Sequence, residues 1–223
     1  MEPLAPPRHL KVGTIIDKTL GVAEHSAVAA SIYVVGLGAM NAILTYYTLE
    51  VTAPMVRLGV GLVQFVVGIS AAYLLLEAML RATGLSTRTD KDTFFPYFAL
   101  SILYTLGVLA GFLLIIIPGL LIMARWSIAQ PMLVAQGEGV MKSLGESWER
   151  TSGNEFQIIG AALALLLLPT ALIIACSILF EPANLAGIAV TQLATSATTV
   201  ISLAMGVAVY GLIEGGRAAS AFQ

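Results

Sequence analysis

The stretch IPGLLIMARWSIAQPMLVAQGEGVMKSLGESWERTSGN, residues 117–154, decides the fold. It opens on a Pro118-Gly119 break between two apolar runs and carries a charge, Arg125, where a chain crossing lipid should have none. A polar joint follows at Gln136-Gly137-Glu138-Gly139, then an amphipathic stretch with Ser147-Trp148, and Gly153-Asn154 leads into the next apolar run. Proline removes a backbone donor and pushes Ile117 out of helical geometry. Pro118-Gly119 is therefore read as a tight reversal between two helices, with the second short enough to be kinked or re-entrant, helped by Pro131. Arg125 needs a partner, because an unpaired charge at membrane depth is costly.

Working outward, the whole chain reads as membrane protein. It is 58% hydrophobic and 11% charged over 223 residues, whereas soluble domains run near a quarter charged. Runs of about 20 apolar residues are needed to cross a hydrocarbon core. Six qualify, near 26–48, 54–80, 94–117, 120–135, 156–180 and 184–213. The predicted class is all-α, a polytopic membrane helix bundle forming one integral membrane domain over 1–223. No cleavable signal peptide is expected, since the first residues hold three prolines and no apolar core.

Charge placement orients the bundle. With the N-terminus inside, Arg8, Lys11, Lys18, Arg81, Arg88, Lys91, Lys142, Arg150 and Arg217 fall on the cytoplasmic side. Only Arg57 falls outside and Arg125 lies within a span, which accounts for all 11 basic residues. Such a split predicts an N-in, C-in topology.

Two further segments read as cytoplasmic amphipathic helices, lying at the interface or packed on the bundle's ends. Across 10–25, Val12, Ile15, Ile16, Thr19, Leu20 and Ala23 share one face, opposite Lys11, Thr14, Asp17, Lys18 and Glu24. Across 140–151, Met141, Leu144 and Trp148 oppose Lys142, Glu146, Glu149 and Arg150.

In lipid, small residues mark helix contacts. Gly107 and Gly111 form a GxxxG pair, and the last span carries Thr191, Thr195, Thr198, Ser202 and Gly206 down one side. That stripe is read as a packing face, with the wall of a hydrated path as the alternative. Glu77 and Arg81, four apart, are read as an ion pair over a proton relay. Arg125 is placed about a turn and a half below the outer end of the fourth span. There it would snorkel outward, pair with Glu50 or Glu181, or meet Asn41. With Asn41 and Gln130 it forms the candidate polar site or structural anchor, while Trp126 and Trp148 suit interfacial anchoring.

Enzymatic patterns are missing from the sequence. His9 and His25 have no metal-ligand spacing, and Cys176 is the single cysteine. There is no Gly-rich phosphate loop or nucleophile elbow. Neither catalysis nor a cofactor or metal is expected, and the lack of a basic patch argues against nucleic acid.

Ile117-Pro118-Gly119, Arg125-Trp126, Pro131, Gly137-Glu138-Gly139, Ser147-Trp148 and Gly153-Asn154 together resemble a known pattern. It is that of the bacterial membrane domain attached to some glycerophosphodiester phosphodiesterases, and of the related YciC-like proteins. The opening Val12-Gly13-Thr14-Ile15-Ile16-Asp17 is similar as well. Gln136 and Glu146 depart from the pattern, standing where an acidic and a basic residue are usual. The resemblance implies a fold and a bacterial inner-membrane address, and carries no catalytic residues. The expected function is a non-enzymatic accessory or scaffold subunit, partnered by the bilayer and by other membrane subunits or a second copy. The alternative is a transporter or lipid-handling protein with a site near Arg125.

Overall fold

A computed structural model describes residues 10–86, 93–114, 116–181 and 183–220, with the side chains of 216–220 excepted. Arg8, His9, Arg88, Lys91 and the Arg217 side chain lie outside the described residues. Those residues form helices without strands: α1 (Val12–His25), α2 (Ala27–Ile32), a π-turn (Tyr33–Leu37), α3 (Gly38–Leu49), α4 (Pro54–Ala82), α5 (Phe94–Leu114), α6 (Ile116–Arg125), α7 (Ala129–Gln136), α8 (Val140–Arg150), α9 (Glu155–Leu179) and α10 (Leu185–Ser220). The fold is an all-α bundle. Six helical stretches are long and apolar enough to cross a membrane: Ala27–Leu49, Pro54–Ala82, Phe94–Leu114, Ile116–Gln136, Glu155–Leu179 and Leu185–Gly215.

The first of these is continuous but loosened. Its π-turn over Tyr33–Leu37 is a feature that recurs at functional sites. Gly38 follows immediately and lets the backbone press on α10, since a Cβ there would stand 2.9 Å from Leu193 Cδ2. Pro54 begins α4 at the first helical position, where a missing N–H costs nothing. Arg57 closes the preceding loop by donating to the carbonyls of Val51 (2.6 Å) and Leu49 (3.3 Å).

The reversal expected at Pro118-Gly119 is not there: α5 ends at Leu114 and α6 already begins at Ile116, so both residues lie inside the second helix. Pro118 is the third residue of α6, within the first turn, where N–H groups have no intrahelical acceptor. Proline is therefore tolerated there. Gly119 serves contact instead: a Cβ on Gly111 would lie 2.9 Å from Gly119 Cα, so the backbones of α5 and α6 nearly touch.

The fourth stretch is two helices. α6 runs ten residues, or about 15 Å, and the chain then unwinds through Trp126–Ile128 before α7 begins. Pro131 supplies the cause, because it has no N–H for the Ser127 carbonyl four residues back. That carbonyl turns toward α10 at Gly206, where a Cβ would come within 2.8 Å of it. α7 ends at Gly137 in the left-handed conformation (φ 67°), and α8 folds back against it.

Both amphipathic helices pack on the bundle. α1 buries Ile15, Thr19 and Val22 against α9 and α10. α8 buries Ser143, Leu144 and Ser147, while Met141 and Trp148 stay exposed. Its contact face is thus rotated from the expected Met141/Leu144/Trp148 stripe, and the inward turn of Ser147 lets its hydroxyl donate to the Arg125 carbonyl of the broken helix.

Candidate functional site

The unwound segment leaves backbone groups that must find partners. The Arg125 carbonyl accepts from Ser147 Oγ at 2.7 Å, and Thr151 Oγ1 at 3.1 Å shares its one proton between it and the Ser147 carbonyl at 2.8 Å. Both donors come from the end of α8 and are fully buried. In return the Arg125 guanidinium donates to the Trp148 carbonyl at 2.8 Å and lies 5.2 Å from the centre of the Trp148 ring. It also pairs with Glu155, the first residue of α9. A carboxylate there is further favoured by the helix N-terminus. Next along the chain, Asn154 accepts from the Leu10 backbone N–H at 2.7 Å and ties down the segment leading into α1. Arg125, Ser147, Trp148 and Glu155 thus form one latch around the break, with Asn154 beside it.

Arg125 therefore does not lie near the α5–α6 turn in company with Glu50, Glu181 or Asn41. It sits about 14 Å along α6, on the side of the α8 joint. Glu77 pairs with Arg81 as its spacing implied. At the joint, Lys142 bonds Glu138 at 2.6 Å, which raises its pKa above the ordinary lysine value. Arg150 bridges Glu146 and Glu214, tying α8 to α10.

Beside the latch lies a half-open cavity of about 550 Å³. The π-turn contributes Tyr33 and Leu37, and the helix break contributes Trp126 and Ser127. Asn41 and Gln64 meet in it at 3.4 Å, and Gln130 reaches Ser101 Oγ at 3.3 Å. The hydroxyls of Thr195, Thr198, Thr199 and Ser202 line the α10 wall. Ser127 Oγ is buried without a hydrogen-bond partner. α4 and α5 meet through an aromatic cluster in which Tyr73 contacts Phe94 and Tyr97, and Phe65 contacts Phe98. Toward Leu114 no ring contact joins them among the described residues, and apolar side chains such as Leu58, Leu62, Leu106 and Leu109 are exposed there.

The structure thus separates the candidates. Asn41 and Gln130 line the cavity, whereas Arg125 does not. Gly107, Gly111 and Gly206 lie at close approaches, Gly107 directly against the Trp126 ring. Thr195 and Ser202, read as packing residues, are exposed toward the cavity. Trp126, read as an interfacial anchor, stands inside, between Gly107 and Tyr104. Trp148 is exposed and stacked on Arg125. Gln64, Ser101 and Ser127 were not singled out as site residues. Gln64 and Ser101 carried only the weak signal of a polar side chain in an apolar run.

No family model, curated protein or solved structure matches this chain. What it is must be argued from its own residues. Among the described residues no cluster of three metal-ligating side chains is found.

Proposed function

We propose that this multi-pass membrane protein takes an amphiphilic molecule from the bilayer into the cavity between α4, α5, α7 and α10, as a lipid-handling protein or transporter. One observation carries the reading: both helix irregularities and the polar residues of five spans converge on the same cavity. Non-helical backbone at membrane depth persists where it is buried in protein or lines a water-filled space. Broken helices around a midplane site are also the usual architecture of transporters. The volume fits the roughly 300–1,000 Å³ of small-molecule sites.

The accessory-subunit reading drew on small-residue faces as contacts for a partner or second copy. Three of those glycines are engaged within the chain, Gly107 with Trp126, Gly111 with Gly119 and Gly206 with Ser127, so no observation favours it. The charge asymmetry and the family resemblance support an N-in, C-in placement in a bacterial inner membrane.

Native mass spectrometry on protein released from its own membrane tests the proposal. Wild type should retain an amphiphile, and Ser202→Trp, which fills the cavity, should lose it with helicity unchanged. An equal complement on both, or none on wild type, contradicts the reading.

A further inference from the structure

Building on the cavity reading, we infer that the occupant has an uncharged head carrying hydroxyl groups, such as a sugar-headed lipid or alkyl glycoside, with its chain lying along the exposed apolar side chains of α4 and α5. The lining decides the charge. No Asp, Glu, Lys, Arg or His borders the cavity among the described residues. The nearest cation by chain position, Arg125, is already engaged by Glu155, the Trp148 carbonyl and the Trp148 ring. A charged head would leave bulk water for a confined site with no counter-charge among the described residues, and the cost of an unpaired charge falls on binding.

The hydroxyls decide the hydrogen bonding. Thr105, Thr195, Thr198 and Ser202 each donate to a carbonyl of their own helix, at 2.8, 2.8, 2.9 and 2.8 Å. Their protons are spent, so the oxygens offer the cavity lone pairs. The amides of Asn41, Gln64 and Gln130 are held only by the contacts of 3.4 and 3.3 Å. Such bonds lie beyond the usual N–H···O range and leave donor capacity free. A hydroxyl both donates and accepts, so it satisfies both kinds of group. A phosphodiester or sulfate ester only accepts, a protonated amine only donates, and a quaternary ammonium does neither.

The test uses the two tryptophans. Trp126 lines the cavity and Trp148 does not, so W148F protein in nanodiscs carries a single reporter within the site. Alkyl chains brominated near the head are added bearing glucoside, sulfate, phosphocholine or trimethylammonium heads, and quenching of Trp126 is followed. The inference expects the glucoside to half-saturate at a concentration at least about tenfold below the others, the discrimination a mismatched buried polar group produces. Thr198→Val with Ser202→Ala should remove that advantage and leave the other probes unmoved. Free glucose should not compete, since the chain is part of the ligand. Equal quenching by all four heads, or a preference for a charged head, overturns the inference and leaves the cavity reading intact. No saturable quenching by any probe overturns both. Competition by free glucose overturns the assignment of an amphiphile. Should W148F not fold, the same four heads compete for wild-type protein in native mass spectrometry, judged by the same order.

Discussion

Replacing Arg125 by methionine keeps a long unbranched stem and removes the charge that holds the latch. The pair with Glu155 is mostly sheltered, with the two side chains 17% and 12% exposed. Losing one member of such a pair leaves the other buried and uncompensated, which costs about 3–5 kcal/mol. The Trp148 carbonyl loses its guanidinium donor as well. Glu155→Gln should cost less, about 1–3 kcal/mol, because the guanidinium keeps the Trp148 carbonyl and ring and the amide still accepts a hydrogen bond. The double variant removes both charges, so it should be milder than the sum by about 1–3 kcal/mol. Arg125→Lys should fall between wild type and Arg125→Met, since an ammonium lacks the planar fork that serves two acceptors at once. Reversible SDS unfolding in mixed micelles, followed by circular dichroism, measures all four. If the costs add, or if Arg125→Met loses under 1 kcal/mol, Arg125 and Glu155 do not act as a pair and the latch is misassigned.

Other outcomes follow from the same geometry. Ser147→Ala and Thr151→Val should each cost little alone, because the other hydroxyl still serves the Arg125 carbonyl. Together they should cost about 1–3 kcal/mol, and additive single losses in the same unfolding assay would refute the shared acceptor. Gly206→Ala and Gly111→Ala should destabilise by about 1–3 kcal/mol, since each Cβ meets backbone within 3 Å, whereas Gly59→Ala and Gly61→Ala, with nothing within 4 Å, should be neutral. Reporter fusions should place the α3–α4 loop near Glu50 outside and the α7–α8 joint near Gly139 inside. The opposite pattern would reverse the topology argued from charge.

The sequence made the six spans legible because lipid imposes length and apolarity on every crossing helix, and no packing detail is needed to see that. The depth of Arg125 was not legible. It was counted along a straight helix from Pro118, and nothing local reveals that the chain unwinds at Trp126 and that α8 doubles back to bring Glu155 alongside. That partner is thirty residues away and belongs to another span. The Pro131 effect was half visible: proline implied a kink, but the Gly206 approach that receives the freed Ser127 carbonyl is a tertiary fact. Periodicity put Thr195 and Ser202 on one face of the last span, yet the same pattern serves a packed contact and a cavity wall. The π-turn over Tyr33–Leu37 left no distinctive mark, because Val34, Val35 and Gly36, though weak helix formers, stand equally in regular membrane-spanning helices.

Whether that face is a wall or a contact bears most directly on the account, and the single cysteine makes it measurable. In a Cys176→Ala background, Ser202→Cys and Ala204→Cys place thiols two residues apart on α10, the first facing the cavity and the second in fully buried packing. A water-soluble maleimide reacts with the thiolate, which needs water around it. The account predicts that the cysteine at 202 is labelled in membranes and the one at 204 is not. Protection of both positions, or labelling at 204 alone, would contradict a hydrated cavity along α10.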